Sequence, residues 1–223
     1  MKYKTCVSIG ESNPSKIKKT LKEALKKSEF AEVRFDFLKP EQIPVVLETI
    51  KKDLKKVVCT LRPKKEGGKF EGSERERISI LKLIAEYNPF LLDVEFSTVS
   101  QNKKFAKFLK STKANLLISE HDFKKTPKLP ELQKKLNQMS KFSKNIKIVT
   151  TANSIGDATT ILELYSKKKS QNLIAFAMGD HGRLSRILGL YLGSPYAYVS
   201  LGKPIAPGQF SVDEVKRITK IQS

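Results

Sequence analysis

Cysteine is scarce: Cys6 and Cys59 are the two in the chain, and each sits in an apolar, strand-like run with no paired-spacing motif. That excludes a disulfide framework and points to buried, reduced thiols of a cytoplasmic protein. Long apolar runs are missing too. The chain leads straight into Thr5-Cys6-Val7-Ser8-Ile9, so no signal segment is expected, and no run approaches the roughly 20 residues that span a bilayer. No GxGxxG or GxxxxGK[ST] loop occurs, which removes the usual phosphate cradle of an open doubly wound sheet. Arginine is sparse as well, seven of 43 basic residues, and forms no run.

What the chain has in quantity is lysine. Formal net charge is +20, from 43 basic and 23 acidic side chains, and such an excess brings nucleic acid or an anionic surface into consideration. The lysines, however, lie on most of the expected helices, with no aromatic–basic interleaving and no zinc-ligand spacing. They read as a diffuse solvated coat that draws in an anionic small molecule, so neither a nucleic-acid nor a membrane partner is expected. A nucleic-acid-binding module is the competing reading from a different class, and it rests on net charge alone.

Strand-like runs occur at 5–9, 30–37, 57–62, 90–96, 115–121, 145–151, 172–178 and 196–201. Helical spacing fills the gaps. Ile17, Leu21 and Leu25 follow Asn13-Pro14; Ile43, Leu47, Ile50 and Leu54 follow Pro40. Ile80, Leu81 and Ile84 stand behind a Ser73–Glu76 capping box. Then come Phe105, Phe108 and Leu109, and Leu132, Leu136 and Met139 after Pro130. Three more helices are expected: one from Ser154, one through Leu184–Leu192, and one behind a second box, Ser211–Glu214. Strict alternation of eight strands with eight helices demands parallel pairing with crossover helices, and eight units close an α/β fold of the (β/α)8 TIM-barrel type. No linker or low-complexity stretch interrupts it. Residues 1–223 read as one barrel domain.

Alternation within the strands then decides which side chains face inward. Along 30–37, Val33, Phe35 and Phe37 share one face and Glu32, Arg34 and Asp36 the other. The outer face packs on helices and must be apolar, so the charged trio points into the barrel. The same logic turns in Arg62, Asp93, Glu95, His121 at the end of strand five, and Lys147 between Ile146 and Ile148. With Glu66 and Arg186 added, five acids face four bases where an ordinary barrel is filled with branched apolar side chains. Asp36, Asp93 and Glu95 fit a structural ion network. A histidine and a lysine at neighbouring strand ends read instead as catalytic. Lys147 alone allows two readings: a structural ion pair, or an amine in a dry space that loses its proton and attacks a carbonyl.

Taken in order, Glu32-Val33-Arg34-Phe35-Asp36, Arg62 with Lys65-Glu66-Gly67-Gly68, Ser119-Glu120-His121-Asp122-Phe123 with Thr126-Pro127, Lys147-Ile148, Met178-Gly179 before Ser185-Arg186, and Ala206-Pro207-Gly208-Gln209 resemble type I 3-dehydroquinate dehydratase. The resemblance runs from the first strand to the last loop. It implies a lyase of the shikimate pathway that removes water from a carboxylated cyclic β-hydroxy ketone, through an imine on Lys147. It makes His121 the general base and acid, and Glu66 the group that orients the imidazole. Arg186 matches the grip on the substrate carboxylate, and Glu32, Arg34 and Arg62 match residues that hold ring hydroxyls and tune the charge of the site, the positive charge of the arginines also lowering the pKa of Lys147. Met178 and Tyr198 correspond to an apolar wall, with plain core packing as the alternative for each. Gln209 sits in a loop, Gly202–Phe210, that the resemblance closes over substrate. No cofactor and no metal is implied; the partner is the small-molecule substrate, and a homodimer is compatible with the chain.

Two positions depart from the pattern. His181 has no counterpart and reads as a loop residue. Ile205 stands where relatives carry a hydroxyl, and unless a backbone group replaces it, its absence weakens binding about ten- to a hundredfold. Another lysine–imine enzyme, such as a class I aldolase, would share the nucleophile but needs neither the carboxylate grip nor a His121–Glu66 pair.

Overall fold

A computed structural model describes residues 3–220; the ends of the expected 1–223 unit, residues 1–2 and 221–223, lie outside the described residues. Among the described residues are eight strands: β1 (Thr5–Ile9), β2 (Phe30–Arg34), β3 (Val57–Thr60), β4 (Leu91–Glu95), β5 (Leu116–His121), β6 (Asn145–Thr151), β7 (Asn172–Met178) and β8 (Ala197–Val199). All pair in parallel, in the order β7-β6-β5-β4-β3-β2-β1-β8. The sheet curls into a nearly closed barrel, its seam between β7 and β8. The expected (β/α)8 TIM barrel is the fold observed.

Helices cover the outside. α1 (Pro14–Lys27) starts where Asn13 Oδ1 accepts Ser15 N–H at 2.9 Å, with Pro14 supplying a preset φ, and buries Ile17, Leu21 and Ala24. Leu25 is only half-buried. The second expected helix is broken: α2 (Ile43–Thr49) lies between 3-10 turns at Pro40–Gln42 and Lys51–Lys56. α3 (Glu74–Glu86) has half of its expected box, Ser73 Oγ accepting Glu76 N–H at 3.2 Å. The fourth expected helix, with Phe105, Phe108 and Leu109, is α5 (Lys103–Ser111), and it is preceded by a short helix the sequence did not predict, α4 (Phe96–Gln101). Asn102 separates them because its side chain caps the amide of Phe105. α6 (Leu129–Met139), α7 (Ile155–Lys167), α8 (Ser185–Tyr191) and α9 (Val212–Lys220) follow the expected order, and the Ser211–Glu214 box closes in both directions.

The two faces of the sheet separate the core into two layers. Outward residues such as Val7, Val33, Cys59, Ile146 and Ile148 join the helix-covered layer, whereas Cys6, Val58, Leu117, Val149 and Tyr198 pack inside the barrel. Both cysteines are buried free thiols. No helix among the described residues is long and apolar enough to cross a membrane.

Strand two is shorter than its alternation suggests. The backbone leaves the sheet after Arg34 and turns through a 3-10 helix, Phe35–Phe37. Asp36 is therefore not an inward strand residue; it is buried in that turn, where it receives Arg34 Nε and Nη2 at 2.8 and 2.7 Å and the Lys69 amide at 2.9 Å. Strand three stops at Thr60, strand four at Glu95 and strand eight at Val199, each one or two residues early. Leu61, Arg62 and Leu201 thereby pass into loops, whereas Phe96 opens α4 and Ser200 bridges to Ser211.

Candidate active site

Register places the first group. Lys147 is the third residue of β6 and pairs with Ser119 of β5, two positions before His121. It is thus mid-strand, deeper than a strand end, with His121 above it on the same inward face. Its amine lies 3.6 Å from Asp93 Oδ2, 4.0 Å from Glu32 Oε1 and 4.2 Å from the centre of the Tyr198 ring. Burial is the main cause holding its pKa below the ordinary 10.5, and Arg62 and Arg34 add to that. Glu32 and Asp93 oppose it without reversing it. The dry surroundings expected of the amine thus outrank its positive neighbours.

His121 ends β5. Its Nδ1 lies 3.0 Å from Glu66 Oε2, so a neutral ring donates there and keeps a lone pair on Nε2. Burial, then Arg62, Lys147 and Arg34, push the imidazole well below its ordinary 6.5. Burial also lifts the Glu66 carboxyl to about 7, against the pull of Arg62. Glu66 comes from a 3-10 turn, Lys64–Glu66, in a loop pinned at its base by a Pro63–Phe70 bridge. Gly68 is required there, since a Cβ would sit 1.9 Å from the Arg62 carbonyl oxygen. Gly67, at φ +75°, completes the turn beneath Phe123, whose ring flanks that of His121 at 24°.

Below this pair lies a buried ion network. Arg62 donates Nη1 to Glu95 Oε1 and Ser119 Oγ, both at 2.7 Å, and Nη2 to Asp93 Oδ2 at 2.6 Å. Ser119 Oγ in turn donates to Asp93 Oδ1 at 2.5 Å. Glu32 accepts from Thr60 Oγ1 at 2.9 Å. The inward acids are thus satisfied, as such burial requires.

Arg186 is different. It is the second residue of α8 and is buried, with its guanidinium 4.1 Å over the Phe176 ring. Nη2 donates to the Pro207 carbonyl at 2.9 Å, and Nε has no partner. It pairs with no carboxylate among the described residues, and burial lowers its pKa to about 10. An unpaired buried arginine is a site made for an anion.

The loop after β8 leaves and rejoins the body at a Ser200–Ser211 bridge. Gln209 fastens it: Oε1 accepts the Ile205 amide at 3.2 Å, and Nε2 donates to Ser8 Oγ at 3.2 Å. The Ile205 backbone is therefore spent on holding the loop, and its side chain lines the site.

One cavity, about 660 Å³ with its open mouth included, is lined by all ten expected residues: Glu32, Arg34, Arg62, Glu66, His121, Lys147, Met178, Arg186, Tyr198 and Gln209. It also takes in Ser8, Phe123, Val149, Phe176 and Pro207, to which sequence reasoning assigns no role in the site, and Ile205, the position noted as departing from the pattern. Ser8 was within reach, since Val7 and Ile9 alternate with Cys6 and Ser8. His181 is exposed and outside the cavity. Among the described residues, no cluster of three or more His, Cys, Asp and Glu side chains is placed to hold a metal ion.

Residues 5–223 match the family model described as Type I 3-dehydroquinase. The chain is 35% identical over 221 residues to 3-dehydroquinate dehydratase of Methanococcus maripaludis, covering 97% of this chain and 98% of that one. It is 34% identical over 220 residues to the Methanocaldococcus jannaschii protein of the same name, covering 97% of each. Among solved structures, type I 3-dehydroquinate dehydratase from Clostridium difficile, with covalent modified comenic acid, superposes with a TM-score of 0.87 at 26% identity, covering 99% of this chain and 92% of that one.

Proposed function

The chain belongs to the type I 3-dehydroquinase family, and from that membership we propose that it dehydrates 3-dehydroquinate through an imine on Lys147, with residues 1–223 forming one catalytic unit. The observation that carries the reading is a single cavity lined by a buried amine, an imidazole–carboxylate pair and an arginine without an acid partner.

The chemistry needs those three groups. The neutral amine of Lys147 adds to the ketone carbon, and loss of that oxygen as water leaves a protonated imine. Nε2 of His121 takes the proton from the adjacent carbon; its electrons move onto the iminium nitrogen, giving an enamine. The electrons then return, the carbon–hydroxyl bond breaks, and the hydroxyl leaves as water with the proton from His121. Hydrolysis of the product imine restores Lys147. Glu66 stabilises the transient imidazolium. Arg186 holds the carboxylate, Glu32, Arg34 and Arg62 hold ring hydroxyls, and Met178, Tyr198 and Gln209 close the walls.

Turnover of 3-dehydroquinate to a conjugated enone, followed by its ultraviolet absorbance, tests this. Lys147→Ala is expected to abolish it. Full activity in that variant, or no conversion by the parent chain at stoichiometric concentration, removes the reading.

A further inference from the structure

Arg77 took no part in the sequence reading, yet it is the largest fully buried side chain among the described residues. It lies on α3, the helix that follows the Glu66 loop. An arginine on a barrel-covering helix ordinarily reaches solvent. This one turns inward. Nη1 donates to Glu95 Oε2 at 2.5 Å and to the Leu61 carbonyl at 3.2 Å. Nε and Nη2 hold both oxygens of Glu74 at 2.9 and 2.8 Å, and Nη2 also donates to Thr98 Oγ1. Glu95 is therefore shared between two arginines, Arg62 on one oxygen and Arg77 on the other.

That sharing matters to the cavity because Arg62 also answers Asp93. Two buried acids, Asp93 and Glu95, face two buried arginines. Without Arg77, Glu95 would keep only Arg62, which also answers Asp93 together with Lys147, and the uncompensated negative charge would lie beside the Glu66 loop. We propose that Arg77 is a positioning residue for the Glu66–His121 pair: by occupying the outer oxygen of Glu95, it leaves the charge of Arg62 available to hold Glu66 as a carboxylate. The inference rests on the reading that this pair moves the proton.

The groups that face Glu66 come from several elements. Arg62 after β3 favours its ionised form; Glu95 and Asp93 on β4 and Glu120 on β5 oppose it. His121 and Ser97 Oγ, at 3.0 and 3.4 Å, complete its surroundings. Any change in how completely Glu95 is neutralised is thus read directly by Glu66, and His121 reads the charge of Arg62 in the same way.

The test is the pH profile of kcat for dehydration in Arg77→Met, Arg77→Lys, Glu95→Gln and the Arg77→Met/Glu95→Gln double variant. Arg77→Met should move the acid-side midpoint upward by about one unit, a roughly tenfold loss at a fixed pH below it. Arg77→Lys keeps the charge and should keep the midpoint near that of the parent. Glu95→Gln should move it downward, and the double variant should restore it. A merely structural role predicts loss of stability without this charge-ordered pattern. Should Arg77→Met fold poorly, Glu95→Gln decides: a midpoint unmoved or raised overturns the proposal. If Glu66→Gln leaves the parent profile unchanged, the underlying mechanism fails instead, and the two failures are told apart.

Discussion

Nδ1 of His121 and Oε2 of Glu66 lie 3.0 Å apart, tying the last residue of β5 to a turn outside the sheet. Burial drives the two in opposite senses, the imidazole toward neutrality and the carboxyl up to about 7. The base is therefore unprotonated at neutral pH, while its partner is only partly ionised. Because an imidazolium forms as the proton is taken, kcat should rise with pH through about 7 as Glu66 ionises. Glu66→Gln should flatten that limb and lower the alkaline plateau roughly 10- to 100-fold, the cost of one charge-assisted hydrogen bond. Steady-state rates across the pH range check this.

The same pair predicts a feature of stability. Between the ordinary carboxyl value of 4.5 and about 7, the folded chain holds a proton on Glu66 that the unfolded chain has shed, so this group's contribution falls as pH rises. His121 acts the other way. Below its ordinary 6.5 the unfolded chain gains a proton that the folded chain refuses, so its contribution falls as pH drops. Below 6.5 the two effects therefore oppose one another, since the proton the folded chain keeps on Glu66 offsets the one it refuses on His121. Glu66→Gln removes this opposition. Its unfolding free energy should fall on acidification more steeply than the parent's, by at most about 1.4 kcal/mol per pH unit. Parallel denaturation curves would contradict this.

Arg186 is costly to the fold, with a buried charge, an unpartnered Nε and one carbonyl contact. Arg186→Met should therefore leave the melting temperature unchanged or higher. It should also raise KM for 3-dehydroquinate by roughly 10- to 100-fold, with a smaller effect on kcat. A lower melting temperature with unchanged KM would mark Arg186 as structural.

Inward and outward placement was legible from alternation where strands are straight. Lys147 between Ile146 and Ile148 is the clearest case. Alternation failed where the chain continued the pattern after leaving the sheet. Asp36 keeps the polar phase of Glu32 and Arg34 although its backbone is already a 3-10 turn, because burial in a turn selects the same residue types as burial in a strand. The short helix α4 was hidden because Phe96 closes an apolar strand-like run and the polar residues after it carry no helical stripe; the Asn102 cap on Phe105 separates it from α5. Arg77 was illegible for a different reason. It lies in a polar Glu74-Arg75-Glu76-Arg77 run that looks like a solvated helix start, and only its approach to Glu95 turns it inward. Phe176 and Pro207 enter the cavity through β7 and the last loop, where apolar residues carry no signal of function.

The most direct measurement is borohydride reduction of the parent protein in the presence of 3-dehydroquinate, followed by mass mapping of its peptides. The account predicts one substrate-derived adduct, on Lys147, which persists in His121→Ala although that variant's dehydration is severely slowed. An adduct on any other lysine, or none while the enzyme turns over, would contradict it.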